Sequence, residues 1–295
     1  MEFIETKTIL TKVKYGSEWY GIDYNMNLYR GCSHRCIYCD SRSNCYHIDN
    51  FDIVRGKENA LSILEQELLK KREKGVVGIG SMSDTYNPLE KQYEQTRGAL
   101  KLISRYDFGV SIDTKSDLIL RDIDLLKEIN SKNNVIIKFT ITTPNDELSR
   151  IIEQNVCVSS KRFQAIKQLS DNGIFVGIML NPVLPFITDN EEDIKELVRL
   201  AYKNGAKFIN TFMGMTLREN QRDYYFNKLD QDFNGLKEKY IKYYCNRYNC
   251  IVPNYKRLYK VFTDECNKYG ILYDMKDIIK AYKKQIKRNE QITLF

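Results

Sequence analysis

The spacing of apolar and polar positions changes repeatedly along the chain and marks out alternating strands and helices. Residues 22–28 (Ile-Asp-Tyr-Asn-Met-Asn-Leu) alternate apolar with polar, the two-residue period of a half-buried strand. Across 57–74 the apolar residues Leu61, Leu64, Leu68 and Leu69 share one face, acids lie early and lysines late, and Gly75 follows. That pattern predicts an amphipathic helix with dipole-matched charges and a glycine stop. The same reading predicts strands over 76–80, 108–113, 135–141, 174–180 and 207–212. Helices are predicted over 90–106, 118–130, 146–154, 160–172 and 191–204.

Strands alternating with helices from residue 22 to residue 212 signal repeated βα units and a parallel sheet. Such units close as an eight-fold barrel or remain open and doubly wound, and periodicity does not choose between them. In both, polar groups at the C-terminal ends of the strands build the site. Here those ends offer Ser81-Met82-Ser83-Asp84, Thr114-Lys115-Ser116, Thr142-Thr143, Asn181-Pro182 and Thr211. Residues 1–20 read as a lead-in packed on the core, 21–216 as the core, and 217–288 as a helical appendage rich in Tyr, Lys and Arg. Residues 289–295 form a tail.

Composition adds limits. Of 295 residues, 42% are hydrophobic and 29% charged, the balance of a soluble globular protein. No apolar run reaches membrane-spanning length, and MEFIETKTIL carries acids where a signal peptide carries bases, which predicts a cytoplasmic protein. Eight cysteines in a chain of this length are not a disulfide framework. The net charge of +7 suits nucleic acid without requiring it, and a bias toward A/T-rich codons also yields abundant Tyr, Lys, Ile and Asn.

The sharpest chemistry lies just after the first predicted strand, where Cys32, Cys36 and Cys39 are spaced Cys-x3-Cys-x2-Cys. Thiolates take zinc, copper(I) or iron–sulfur clusters. A structural zinc site needs a fourth ligand, for which Cys45, His34 and His47 are the local choices. A [4Fe–4S] cube on three thiolates keeps one iron open instead.

This spacing, with the aromatic Tyr38 before the third cysteine, resembles the radical S-adenosylmethionine (radical SAM) enzymes. The resemblance implies a (β/α)6 partial TIM barrel, an α/β fold with a C-terminal helical appendage, and a cluster loop after strand one. It makes Cys32, Cys36 and Cys39 the ligands of a [4Fe–4S] cluster. The open iron chelates S-adenosylmethionine (SAM), and an electron from an external donor such as flavodoxin or ferredoxin cleaves it. The resulting 5′-deoxyadenosyl radical takes a hydrogen atom from substrate. By position in the family, Ser83 and Asp84 meet the amino group of SAM. Arg162, with Thr140 or Thr142, meets its ribose and carboxylate, and Ile178 or Leu180 lines the adenine.

The turn GSMSDTYNPLE looks like that of the spore photoproduct lyase-like branch, as do TKSDLILRDIDLL, ITTPNDELSRIIEQ…SSKRFQAI and NGIFVGIMLNPVLPFITDN. Together these cover about residues 22–215. The branch implies action on nucleic acid, in DNA repair or modification. One departure matters: Ser81 stands where a photoproduct lyase carries a hydrogen-donating cysteine. The serine O–H bond is too strong for that role, which leaves the hydrogen donor open and puts photoproduct reversal in doubt. The tail Gln291-Ile292-Thr293-Leu294-Phe295 looks like the peptide that docks repair proteins on the bacterial DNA sliding clamp. Two other readings stand beside this one: radical SAM modification of a peptide or small molecule, and a non-enzymatic, zinc-stapled nucleic-acid-binding adaptor.

Overall fold

The computed structural model describes residues 2–13 and 18–283. Its strands are β1 (Glu2–Ile4), β2 (Leu10–Lys12), β3 (Tyr24–Met26), β4 (Tyr29–Arg30), β5 (Arg55–Lys57) and β6 (Val76–Ile79). They continue with β7 (Gly109–Thr114), β8 (Val135–Thr140), β9 (Phe175–Leu180), β10 (Ile209–Thr211), β11 (Gly214–Thr216) and β12 (Asn249–Ile251). The helices are α1 (Ala60–Leu69), α2 (Glu90–Tyr93), α3 (Gln95–Arg105), α4 (Ile123–Lys132), α5 (Asp146–Ile152) and α6 (Ser159–Asp171). After them come α7 (Glu191–Lys203), α8 (Gln221–Asp232), α9 (Leu236–Tyr244), α10 (Tyr255–Tyr269) and α11 (Met275–Tyr282).

The main sheet runs β10-β9-β8-β7-β6-β3-β2. From β3 to β10 every pairing is parallel, and β2 adds antiparallel to the outer edge of β3. This is the six-stranded parallel partial barrel. Every residue of β6 and β8 is buried, as expected of parallel strands covered on both faces. α3 and α4 lie against β7, and α6 lies against β9.

Several predicted elements differ in extent, each for a local reason. Residue 57 belongs to β5 rather than to a helix, because 55–57 pair with β1, and 55–56 also with β4, in a small second sheet. The helix expected over 90–106 breaks at Glu94, which takes φ +46°. The helix expected over 118–130 begins as a tight 3-10 segment, Asp117–Asp122, before α4. Beyond 216 the chain is not purely helical: β12 pairs antiparallel with β11. Gly270 in the left-handed region ends α10 and separates it from α11.

The C-terminal helices share the core. α10 packs on α7, with Leu258, Phe262 and Cys266 in the main cluster of buried residues. Ile278 and Tyr282 of α11 bury with Tyr20, Ile22, Val76, Ile136 and Phe208. Tyr225, Leu229, Tyr240 and Tyr244 of α8 and α9 bury with Cys36, Ile37 and Tyr38 of the cysteine loop. Among the described residues no helix is long and apolar enough to cross a membrane. The tail residues Gln291, Leu294 and Phe295 lie outside the described residues.

Candidate active site

The cysteine loop follows β4. Gly31 opens it at φ +80°, where a Cβ would stand 2.3 Å from the carbonyl oxygen of Ile53. Only glycine fits that approach. The Cys32 amide then donates to Phe51 O at 2.8 Å. The Ile37 amide donates to Ile152 O at 2.9 Å, and Cys36 bridges to Glu153. The Asn155 side chain donates to Ser33 O at 2.8 Å. From the other side Gln221 Nε2 donates to Tyr38 O and Asn220 Nδ2 to Arg42 O, each at 2.9 Å. The loop is therefore pinned between the end of α5 and the start of α8.

All three thiols face one cavity of about 390 Å³ at the C-terminal ends of the barrel strands. Its walls include Gly80 to Asp84 after β6, Asp113 to Lys115 at the end of β7, Thr140, Met179 with Asn181, and Phe212. Asp84 shapes the turn: Oδ1 accepts from Thr114 Oγ1 at 2.7 Å and from the Tyr86 amide at 2.9 Å. Oδ2 accepts from the Lys115 amide at 2.6 Å and lies 3.5 Å from His34 Nδ1. Ser83 Oγ donates to Gly31 O at 2.7 Å, tying the turn to the cysteine loop. On the barrel interior Lys138 Nζ reaches Asp113 Oδ1 at 2.9 Å and Ser111 Oγ at 2.7 Å.

Below the cavity wall lies a buried chain of polar groups. Tyr38 donates its hydroxyl to Glu153, and Arg162 Nη1 pairs with Glu153 Oε2 at 2.5 Å. Both charged side chains are fully buried. Arg162 also donates to Thr140 O at 2.9 Å and Cys157 O at 2.8 Å, while its Nη2 has no partner among the described residues.

The structure brings Cys32, Cys36, Cys39, Tyr38, Ser83 and Asp84 to the same cavity. It does not bring Arg162 or Thr142 to that surface. Arg162, expected to meet a ligand carboxylate, is held beneath the wall by Glu153 and two carbonyls, and Thr142 is buried with a hydroxyl that has no partner among the described residues. Lys115 is the one Lys or Arg among the described residues lining the cavity. A pairing of Lys115 with Asp122 does not form, since Asp122 binds Arg97, Arg121 and Tyr86. Trp19 and Phe212, which periodicity gave no reason to single out, stand 47% and 38% exposed at the cavity.

The donor set fits an iron–sulfur cluster. Burial pushes the Cys32 thiol up to about 12 and raises Cys36 and Cys39, with the nearby Lys115 ammonium opposing the rise at the latter two. Thiolates this buried require a positively charged partner, which an iron core supplies. No three His, Cys, Asp or Glu side chains among the described residues converge as they would on a single ion. A cube holds its irons at separate corners, so its ligands need not converge.

The family model of the Radical SAM superfamily matches residues 26–223, well over half of the chain. The chain belongs to this superfamily. It is a radical SAM enzyme, which overturns the reading as a non-enzymatic zinc-stapled adaptor. An uncharacterised protein of Methanocaldococcus jannaschii is 36% identical over 179 residues, covering 60% of this chain and 66% of its own length. An uncharacterised protein of Mycobacterium tuberculosis is 29% identical over 244 residues, covering 80% and 71%. A spore photoproduct lyase complexed with dinucleoside spore photoproduct has the same fold, with a TM-score of 0.68 at 14% identity over 92% of this chain and 81% of that one.

Proposed function

We propose that this enzyme holds a [4Fe–4S] cluster on Cys32, Cys36 and Cys39, cleaves SAM reductively, and acts on nucleic acid. The observation that carries the chemistry is that Cys32, Cys36, Cys39 and Lys115 line a single cavity at the strand ends. When bound, cluster and SAM supply a 5′-deoxyadenosyl radical that takes a hydrogen atom from substrate. Ser83 offers hydroxyl lone pairs beside the cysteine loop, where an amino group is received. Asp84 fixes the turn and orients His34 rather than standing free, since its oxygens already accept from Tyr86, Thr114 and Lys115. The Lys115 ammonium sets a positive charge on the cavity wall, suited to a carboxylate. Arg162 is a positioning residue that acts through Glu153 and Tyr38. An external one-electron donor, such as a flavodoxin or ferredoxin, completes the requirement.

The nucleic-acid reading is supported by Trp19 and Phe212, exposed aromatic rings at the cavity on which a base can stack. The dinucleoside held by the spore photoproduct lyase agrees with it. Ser81 lines the cavity where a thiol would be needed to return a hydrogen atom, so the reaction proposed is a modification or a repair with a different hydrogen donor.

Anaerobic reconstitution tests the first step. The expected result is a brown protein with about four irons per chain that converts SAM to 5′-deoxyadenosine on reduction, with colour and turnover both lost in Cys36→Ala. Retained turnover in that variant overturns the ligand assignment. Deuterium transfer from labelled single- or double-stranded DNA or RNA into 5′-deoxyadenosine identifies the substrate; transfer from none of them overturns the nucleic-acid reading.

A further inference from the structure

A second cavity, of about 260 Å³, adjoins the first: Met82 and Ser83 line both. Its other walls include Asn27, Arg30, Tyr46 and Lys57. The charge arrangement here is unusual. Lys57 is half-buried on β5, and no ion pair or hydrogen bond of its ammonium exists among the described residues. Burial and the nearby Arg30 hold its pKa below the ordinary lysine value, with Glu67 opposing. Glu67 is itself committed, accepting from the amides of Ile9 and Leu10 at 3.0 and 2.8 Å. The Arg30 guanidinium donates to His47 O and has no carboxylate partner among the described residues. Glu5 is the acid on the cavity wall, and it is exposed and forms no ion pair with either cation. Asn27 Oδ1 is buried without a donor among the described residues. Tyr46, also on the wall, carries the Arg218 guanidinium 5.5 Å over its ring.

Two cations on one cavity wall, neither held in an ion pair among the described residues, stand beside an open acceptor and form an anion site. We propose that this cavity is a phosphate subsite: Lys57 and Arg30 bind a phosphate group of the molecule whose reacting part enters the adjacent thiol-lined cavity. Asn27 Oδ1 accepts an O–H or N–H from the same molecule. The inference rests on the reading of the large cavity as the radical site and narrows its substrate to a phosphate-bearing one. Stacking on Trp19 and Phe212 favours a polynucleotide, whose backbone phosphate would lie beside the extruded base; a small phosphoester shares the same chemistry.

The test uses the full chain and measures anisotropy of a short fluorescein-labelled single-stranded DNA across a salt series. Lys57→Gln and Arg30→Gln should each weaken binding about 5-fold, the scale of one charge-assisted contact at a partly exposed site. Each should also lower the slope of log K against log salt by about 1. Arg55→Gln, whose guanidinium pairs with Glu2 at 3.1 Å and does not line this cavity, should do neither. Melting curves confirm that the variants fold. Unchanged slopes in both variants, or an equal loss in Arg55→Gln, overturn the subsite. If the unaltered chain binds no DNA, titration with inorganic phosphate separates the two readings. Thermal stabilisation lost in Lys57→Gln then keeps the subsite for a small phosphoester and rejects the nucleic acid; no stabilisation of the unaltered chain rejects both.

Discussion

At the scale of single residues, Arg162 and Glu153 show how a buried charge pair supports a radical site without standing on its surface. Desolvating the two ions is costly, and the geometry offsets it with the 2.5 Å contact, the Tyr38 hydroxyl on Glu153, and carbonyls on the guanidinium. Removing one partner leaves the other charged and unpaired. Arg162→Met should therefore lower unfolding free energy by about 3–5 kcal/mol, measured by urea denaturation, while Arg162→Met with Glu153→Gln should recover part of that loss. Tyr38→Phe is milder: Glu153 loses one donor but keeps its ion pair, at a cost of about 1–3 kcal/mol. If these residues position the loop rather than bind ligand, Tyr38→Phe should keep full iron stoichiometry and slow SAM cleavage. A reduced iron content in Tyr38→Phe would show instead that the phenol is needed to assemble the cluster.

At the scale of elements, two glycines decide where the site can form. Gly31 and Gly80 both have positive φ, +80° and +98°, and added Cβ atoms would meet Ile53 O at 2.3 Å and Asp113 O at 2.2 Å. Gly173 shares the positive φ (+74°) but has nothing within 4 Å of the added atom. Gly173→Ala should thus cost only the left-handed penalty of about 1–2 kcal/mol. Gly31→Ala should cost more and, because it displaces Cys32 from Phe51, should also reduce the iron retained after reconstitution. Equal iron content in the two variants would remove the close approach from the explanation. The cysteine spacing, the strand-end turns and the βα rhythm were legible because each is local: period, punctuation and a short motif are all read within one element. The burial of Arg162 was not legible, because only tertiary contact shows that Glu153 pairs with it. Likewise β11 with β12 was invisible, since residues 214–216 and 249–251 pair across two helices and neither segment alternates over more than three residues.

For the whole molecule the question is what closes a sheet whose ends never pair. The outermost strands β2 and β10 share no ladder. Side chains join them instead: Tyr20, in the connection between β2 and β3, meets Phe208, next to β10, with ring centroids 5.8 Å apart. α11 seals that junction. Tyr282 donates its hydroxyl to Tyr20 O and packs on Phe175 at 6.0 Å, and Phe175 stacks on Phe208 at 5.5 Å. These contacts gather at the starts of β6, β8 and β9, through Val76, Ile136 and Phe175, whereas the thiol-lined cavity lies at the strand ends. The cysteine loop is held by other groups, from α5 and α8. Closure and cluster binding should therefore separate. Tyr282→Ala removes a buried ring worth about 3–5 kcal/mol, which lowers the melting temperature by on the order of 10 °C in a chain of this size. Tyr282→Phe, which keeps the ring and loses only the hydrogen bond, should lose about 1 kcal/mol. Both variants should retain full iron stoichiometry when reconstituted in the cold. Loss of iron in Tyr282→Ala at a temperature where it is still folded would mean that the seam between β2 and β10 also sets the position of the cysteine loop, and that barrel and cluster site form as one unit.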